Sequence, residues 1–355
     1  MSESATASAP AKTQPKAKKN RLSSGFFRFV LTRFLLIIPT VFILVTIVFF
    51  VMRATGDPIS AAMGGRLTPE ELQRRIHAAG YDRPLVVQYL DYLGGLLRGD
   101  LGTTLTDNQP VTTILTRYGA ATFELAFLSL IVALIVGIGL GRLAARRRDH
   151  AADAGIRVFA ILCYATPVFF LGLMLKLVFA VWLNVLPPSG RSSFASDMQF
   201  QRLVSPTGFY IIDAFQLGDM SVLVDVLRHA VLPALALGLL TAGVFIRLVR
   251  TNVISTYTSG YVEAARSRGV SEGRLLSKHA WRPAMIPIIT VMGMQIALML
   301  AGAVLTETTF EWKGLGFMLS QYLKQRDFVA VQGIVILIAI IVAVVNFIVD
   351  VISAL

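Results

Sequence analysis

Sulfur, histidine and charge are all scarce in this chain, and each scarcity removes a class of chemistry. One cysteine, Cys163, stands in 355 residues, which excludes an intrachain disulfide and any thiolate cluster. Its surroundings are apolar, so a small core residue is the expected role. The four histidines, His77, His150, His229 and His279, lie far apart in sequence, so no metal site is expected. No GxxxxGK[ST] run occurs, and the chain therefore has no phosphate loop of its own for ATP. Charged residues make up only 15% of the sequence, against about 25% in average soluble domains. The long apolar runs contain no paired carboxylates, Ser–Lys dyad or HExxH string, which argues against an intramembrane enzyme, a proton relay or a voltage sensor.

What is abundant is apolar surface. Hydrophobic residues reach 55% and the mean hydropathy is +0.67. Six nearly uncharged windows, 34–52, 120–141, 158–182, 230–246, 284–306 and 328–349, approach the ~20 residues that cross ~30 Å of hydrocarbon. The expected fold is an all-α polytopic membrane protein with six transmembrane helices. The net charge of +12 is concentrated in the segments before residue 34, at 142–157 and at 247–282. Short basic loops stay inside, so these segments and both termini are expected in the cytoplasm. A pI near 10.1 would suggest nucleic acid in a soluble protein, but here the basic residues border spans and follow topology, so no nucleic-acid partner is expected. Residues 1–25, rich in Ala, Ser, Lys, Pro and Thr without apolar periodicity, read as a disordered basic tail. The segment from Phe34 is of span length and lacks a small-residue cleavage site, so it reads as the first transmembrane helix (26–52) rather than a removed leader.

Two loops carry local structure. In 251–283, residues 260–269 read as a short helix containing Ala264 and Ala265 and stopping at Gly269, a residue suited to a left-handed C-terminal turn. Ser271 then caps a second helix running toward Trp281, with Pro283 close behind. Two helices hinged at a glycine make a compact knob whose alanines allow close approach of another protein's backbone. In 53–119, Thr68-Pro69-Glu70-Glu71 is a strong helix start and Gly80 its stop, and 86–97 carries apolar residues at helical spacing. This loop is expected to be a folded helical excursion on the outer face, and 120–355 the core membrane domain with the other five spans.

The spacing Glu263-Ala264-Ala265, three residues, Gly269 resembles the coupling loop of ABC importer permeases, and His279, Arg282 and Pro287 resemble its peptide-type branch. Gly56-Asp57-Pro58, Leu67 to Glu71, Asp82-Arg83-Pro84-Leu85, Gln88-Tyr89-Leu90 and Gly99-Asp100-Leu101-Gly102 follow the order found in the first outer loop of oligopeptide and dipeptide permeases. The similarity continues through Ala121 to Leu125, Thr166 to Phe169, 306–316 and Arg326-Asp327-Phe328. The chain thus resembles the B-type permease subunit of the peptide/nickel binding-protein-dependent family. That resemblance implies a type I ABC importer permease fold and a non-catalytic subunit in the cytoplasmic membrane. It also implies a second homologous permease, two ATP-binding subunits that hold ATP and Mg, and an extracytoplasmic substrate-binding protein. Glu263, Ala264, Ala265, Gly269, His279 and Arg282 would couple to the ATPase. Asp57, Asp82, Arg83 and Asp100 would contact the binding protein. In relatives the fifth span lines the translocation path, which nominates Met292, Gln295 and Met299.

The remaining polar residues within spans have structural readings. Glu124 is expected to pair with Arg117 or a loop group, Lys176 to snorkel outward, and Gln295, Thr306 and Asn346 to hydrogen-bond between helices. The cargo stays open between dipeptides, oligopeptides, nickel and other small solutes. The rival functions are an ion-coupled secondary carrier and a purely structural membrane subunit.

Overall fold

A computed structural model describes residues 21–65 and 67–354 of the chain. Most of the expected basic tail lies outside the described residues, but its last part is helical. The first helix, α1, runs Arg21–Ala54, beginning before the expected span because nothing between Arg21 and Phe34 breaks a helix.

The loop 53–119 then forms three short helices. In α2, Pro58–Met63, Asp57 Oδ1 accepts the Ser60 N–H at 2.7 Å. In α3, Pro69–Ala78, Thr68 Oγ1 accepts from Glu71 N, and Gly80 turns the chain at φ +72°. α4 covers Leu85–Leu97. The span helices follow: α5, Val111–Arg146; α6, Ala151–Ala165; and α7, Val168–Leu175, which continues as a π-helical turn, Lys176–Trp182. Two short helices, α8 (Phe194–Phe200) and α9 (Tyr210–Leu217), precede α10, Met220–Tyr257. Next come α11 (Gly260–Ser267), α12 (Glu272–Arg274), a π-helical turn (Leu275–Ala280) and α13 (Trp281–Phe310). The last two are α14, Leu315–Lys324, and α15, Phe328–Ala354.

Among the described residues, five helices are long and apolar enough to cross a membrane, and counting the bent pair α6–α7 as one span brings the number to six. The third span is therefore not the straight helix expected over 158–182. α6 and α7 meet at 108°. Pro167 offers no N–H and pushes Thr166 into extended backbone (φ −79°, ψ 128°), ending α6. Downstream of this bend Lys176 does not snorkel. Its Nζ donates to Thr309 O at 2.9 Å and lies over the Phe310 ring, joining α7 to α13.

α10 and α5 pack most extensively, and glycines permit the close approach. A Cβ on Gly238 would lie 2.7 Å from Ser129 O, and one on Gly141 would lie 2.7 Å from Val249 Cβ. Around this pair the core gathers Ala121 and Leu125 of α5, Val168 of α7, Ala234 and Leu237 of α10, and Met299 and Ala303 of α13. At 38 residues α10 is about 57 Å long, well beyond the ~30 Å hydrocarbon layer, so it carries packing out to the loop 251–283. α1 lies at the margin against α15, held by Arg33–Asp350 at 3.2 Å and a Phe34–Phe347 edge contact.

Polar clusters close the end opposite the loop 251–283. Glu124 pairs with a loop group, Arg191, at 2.6 Å, and both side chains are more than nine-tenths buried. Glu124 also accepts the Ile211 N–H at 2.8 Å, and the Arg191 guanidinium stacks on Tyr210, 3.7 Å from the ring centroid. Glu307, fully buried, accepts from Thr122 Oγ1 at 2.7 Å and from Phe317 N at 2.9 Å. Asp327 caps α15 and accepts the N–H groups of Leu105 and Thr106, tying the loop 53–119 to α15. Among the described residues, Gln295, Thr306 and Asn346 make none of the expected interhelical hydrogen bonds. Thr306 is buried with its hydroxyl unpartnered, Gln295 is half-buried and Asn346 is exposed.

Candidate functional site

The knob is built from the end of α10, α11 and the start of the α12–α13 helix. Val262, Ala265 and Leu275 are its buried centre, flanked by Tyr257 and Val270. This separates the two alanines. Ala264 is exposed, whereas Ala265 is packed inside the knob. Glu263 and Arg282 are also exposed, and neither makes an ion pair among the described residues. His279 is half-buried.

Gly269 adopts φ +80°, the left-handed turn expected of it, so that Val270 N donates back to Ala265 O at 3.3 Å. An ion pair then latches the two arms. Arg266 Nε donates to Glu272 Oε1 at 2.7 Å, the Tyr257 hydroxyl donates to the same carboxylate, and Arg266 stacks over Tyr257. The Arg266 guanidinium, with help from Tyr257, holds the Glu272 carboxyl below its ordinary 4.5. Nothing in the sequence pattern singled out this latch, since Arg266 and Glu272 read there only as loop charges.

The second helix is not a separate arm. Ser271 does start it, with its carbonyl accepting from Arg274 and Leu275 N–H groups, but its side chain makes no cap. The helix then runs through the π turn directly into α13, so the knob and the fifth span share one helical rod. Pro283 is accommodated just after that turn. In a regular ladder its missing N–H would have engaged the His279 carbonyl; here the Tyr261 hydroxyl of α11 donates to that oxygen in a long 3.4 Å contact. Two further contacts anchor the rod and α10 nearby. Arg142 of α5 lies 4.5 Å over the Trp281 ring. Arg250 of α10 grips the buried Asp153 of α6 through both carboxylate oxygens, at 2.6 and 2.7 Å.

The other nominated residues are distributed differently. Met299 is packed in the core between α5 and α10 and does not face open space. Met292 is half-buried against Val249, Val253 and Ile288, and the outward side of α13 is carried by Met294 and Leu298, each 60% exposed. On the loop 53–119, Asp82, Arg83 and Asp100 are exposed and Asp57 is half-buried. Each also has local work. Asp82 bonds His77 Nδ1 at 2.5 Å, which holds its carboxyl below the ordinary 3.8; Arg83 approaches Asp91 at 3.4 Å; and Asp100 Oδ1 accepts the Gly102 N–H at 2.9 Å. Among the described residues no His, Cys, Asp and Glu side chains gather as metal ligands.

These features define a polytopic membrane protein with a compact helical knob continuous with two of its long apolar helices. Residues 137–355 match the family model described as "Binding-protein-dependent transport system inner membrane component", and residues 26–117 match that of its N-terminal part. The chain belongs to the binding-protein-dependent transport system inner membrane component family. Among its relatives, the Di/tripeptide transport system permease protein of Pseudomonas aeruginosa is 36% identical over 92% of this chain and 96% of that protein. The Dipeptide transport system permease protein of Escherichia coli K12 is 37% identical over 91% and 95%. The Glutathione transport system permease protein of Salmonella choleraesuis is 31% identical over 92% and 96%. The chain is thus a multi-pass inner-membrane permease component of a transport system that depends on a substrate-binding protein.

Proposed function

We propose that this permease imports short peptides by ATP-driven alternating access, paired with a second homologous permease and two ATP-binding subunits that hold ATP and Mg. The carrying observation is the continuity of the exposed Glu263–Ala264 face with α13 through the Tyr261–His279 contact and the shared helical rod. Displacement of the knob by closing ATPases is transmitted along α13 to the buried Glu307 cluster at the outer end, and along α10 through the Tyr257–Arg266–Glu272 latch. Rigid rods with a packed α5–α10 centre favour a two-state movement over gradual deformation.

In this reading the basic ends and both termini face the cytoplasm, the knob is the coupling loop 251–283, and 53–119 is an outer subdomain that receives the binding protein near Asp82, Arg83, Asp100 and Asp57. Met292 and Gln295 are placed beside the path, with Met299 supporting them from the core. Peptide cargo rests on the printed substrates of the relatives, two of which name di- or tripeptides. The experiment is uptake by the reconstituted complex. Peptide accumulation should require ATP and the binding protein together. Uptake driven by an ion gradient without ATPase partners would overturn the mechanism, and a binding protein that retained nickel but no peptide would overturn the cargo.

A further inference from the structure

One cavity on the outer side collects five buried polar atoms that have no partner among the described residues: Arg53 Nε and Nη1, Gln88 Oε1, Tyr92 Oη and Gln332 Nε2. The cavity measures about 310 Å³ and lies where the last turn of α1, the helix α4 and the first turns of α15 meet. Buried polar groups are nearly always satisfied, so their convergence on one space calls for an occupant.

The side chains are held in place by other contacts, which leaves the unpartnered atoms directed by construction. Gln88, more than nine-tenths buried, spends its amide N–H groups on the carbonyls of Tyr81 and Arg83, at 2.9 and 2.8 Å. Those two acceptors decide the amide orientation and leave Oε1 as the free acceptor in the cavity wall. Gln332, also more than nine-tenths buried, presents its Nε2 donor. The Arg53 guanidinium is sandwiched 4.4 Å from the Tyr81 ring and 5.2 Å from that of Phe49, which leaves its in-plane N–H edge for a ligand. Tyr92 stacks on Phe49, and burial raises its phenol above the ordinary 10.0, so it remains a neutral donor. Arg53, Tyr92 and Gln332 are therefore a set of donors suited to an anionic oxygen group. Gln88 Oε1 and the carboxylates of Asp91 and Asp100 at the rim are acceptors suited to an N–H cation.

We propose that this cavity binds a compact zwitterion, its anionic oxygens against Arg53, Tyr92 and Gln332 and its primary ammonium against Gln88 Oε1 and the rim carboxylates. Two sources carry this chemistry. One is an ethanolamine phospholipid headgroup, since α1 and α15 place the cavity where spans leave the hydrocarbon; the other is a free short peptide. A quaternary ammonium has no N–H for Gln88 Oε1 and is discriminated against.

The test is calorimetric titration of the purified membrane complex, without binding protein, using glycerophosphoethanolamine, glycerophosphocholine and Gly-Gly. Saturable binding is expected for the first or the third, and about tenfold weaker binding for the choline compound. Arg53→Gln and Gln332→Leu should each weaken the bound probe about tenfold or more. Tighter glycerophosphoethanolamine identifies the headgroup as the source, and tighter Gly-Gly identifies the peptide. Saturable binding of the choline and ethanolamine compounds with equal affinity, affinity of the bound probe unchanged in both variants, or no saturable binding of either primary-ammonium probe overturns the proposal. The choline comparison uses the unaltered protein and does not depend on how the variants fold.

Discussion

Gly269 offers a perturbation whose physics can be isolated. It holds φ +80°, and a Cβ built on it would meet no heavy atom within 4 Å. Any substitution there therefore strains the backbone without a clash inside this chain. A non-glycine residue in the left-handed region costs about 1–2 kcal/mol, equivalent to a five- to thirtyfold shift in the occupancy of this turn. Asparagine tolerates the region better, and a β-branched residue tolerates it worst. If docking needs the turn, transport per ATP hydrolysed in proteoliposomes should fall in the order Gly269→Asn, Gly269→Ala, Gly269→Val, with alanine losing about five- to thirtyfold. Valine behaving like glycine would refute the reasoning. Asparagine and valine failing equally would refute it too, because side-chain size, and not the turn, would then be deciding the outcome.

Removing Arg191 should leave Glu124 buried without its counter-charge. Arg191→Met is expected to lower stability by about 3–5 kcal/mol in thermal unfolding of the complex, and Glu124→Met on top of it should recover part of the loss. Asp153→Asn weakens a two-point grip on Arg250 that is largely out of water, and should cost about 1.5–3 kcal/mol while lowering the coupling ratio more than the ATPase rate. The Glu272 latch has a pH signature. Its folded carboxyl titrates below the ordinary 4.5, so its contribution is complete above that value and fades as pH falls through the depressed one. Protection of the α11 amides, taken as exchange relative to the intrinsic rate at each pH, should thus hold at about pH 5.5 and fall only below about pH 4. Protection already lost at about pH 5.5 would exclude the latch.

Much of the architecture was legible because hydropathy and turn chemistry are local. The Thr68 cap, the Gly80 stop and the Gly269 turn are each decided within a few residues, and each stands in the structure. The break between α6 and α7 was available in Thr166-Pro167, but an apolar window averages across a proline and hides it. The split between exposed Ala264 and buried Ala265 was harder to read, since two adjacent alanines look alike until helix phase is set by Val262 and Leu275. Long-range partners were beyond reach. Glu124 was expected to find a cation, but only the fold chooses Arg191 over Arg117, and Asp153 with Arg250 is a pairing across distant segments. Met299 shows the same limit, because a methionine suited to a path wall is equally suited to the core where it lies.

The account stands most directly on which face of the knob meets the ATP-binding subunit. The chain's one cysteine, Cys163, is buried, so a thiol introduced at Ala264 is the accessible one. Ala264→Cys should crosslink to a cysteine in the cleft of the ATP-binding subunit, with a yield that changes between nucleotide-free and ATP-bound states, while Ala265→Cys, facing Val262 and Leu275, should crosslink far less. Equal yields at the two positions, or none at Ala264 in any nucleotide state, would contradict the claim that this knob couples ATP to transport.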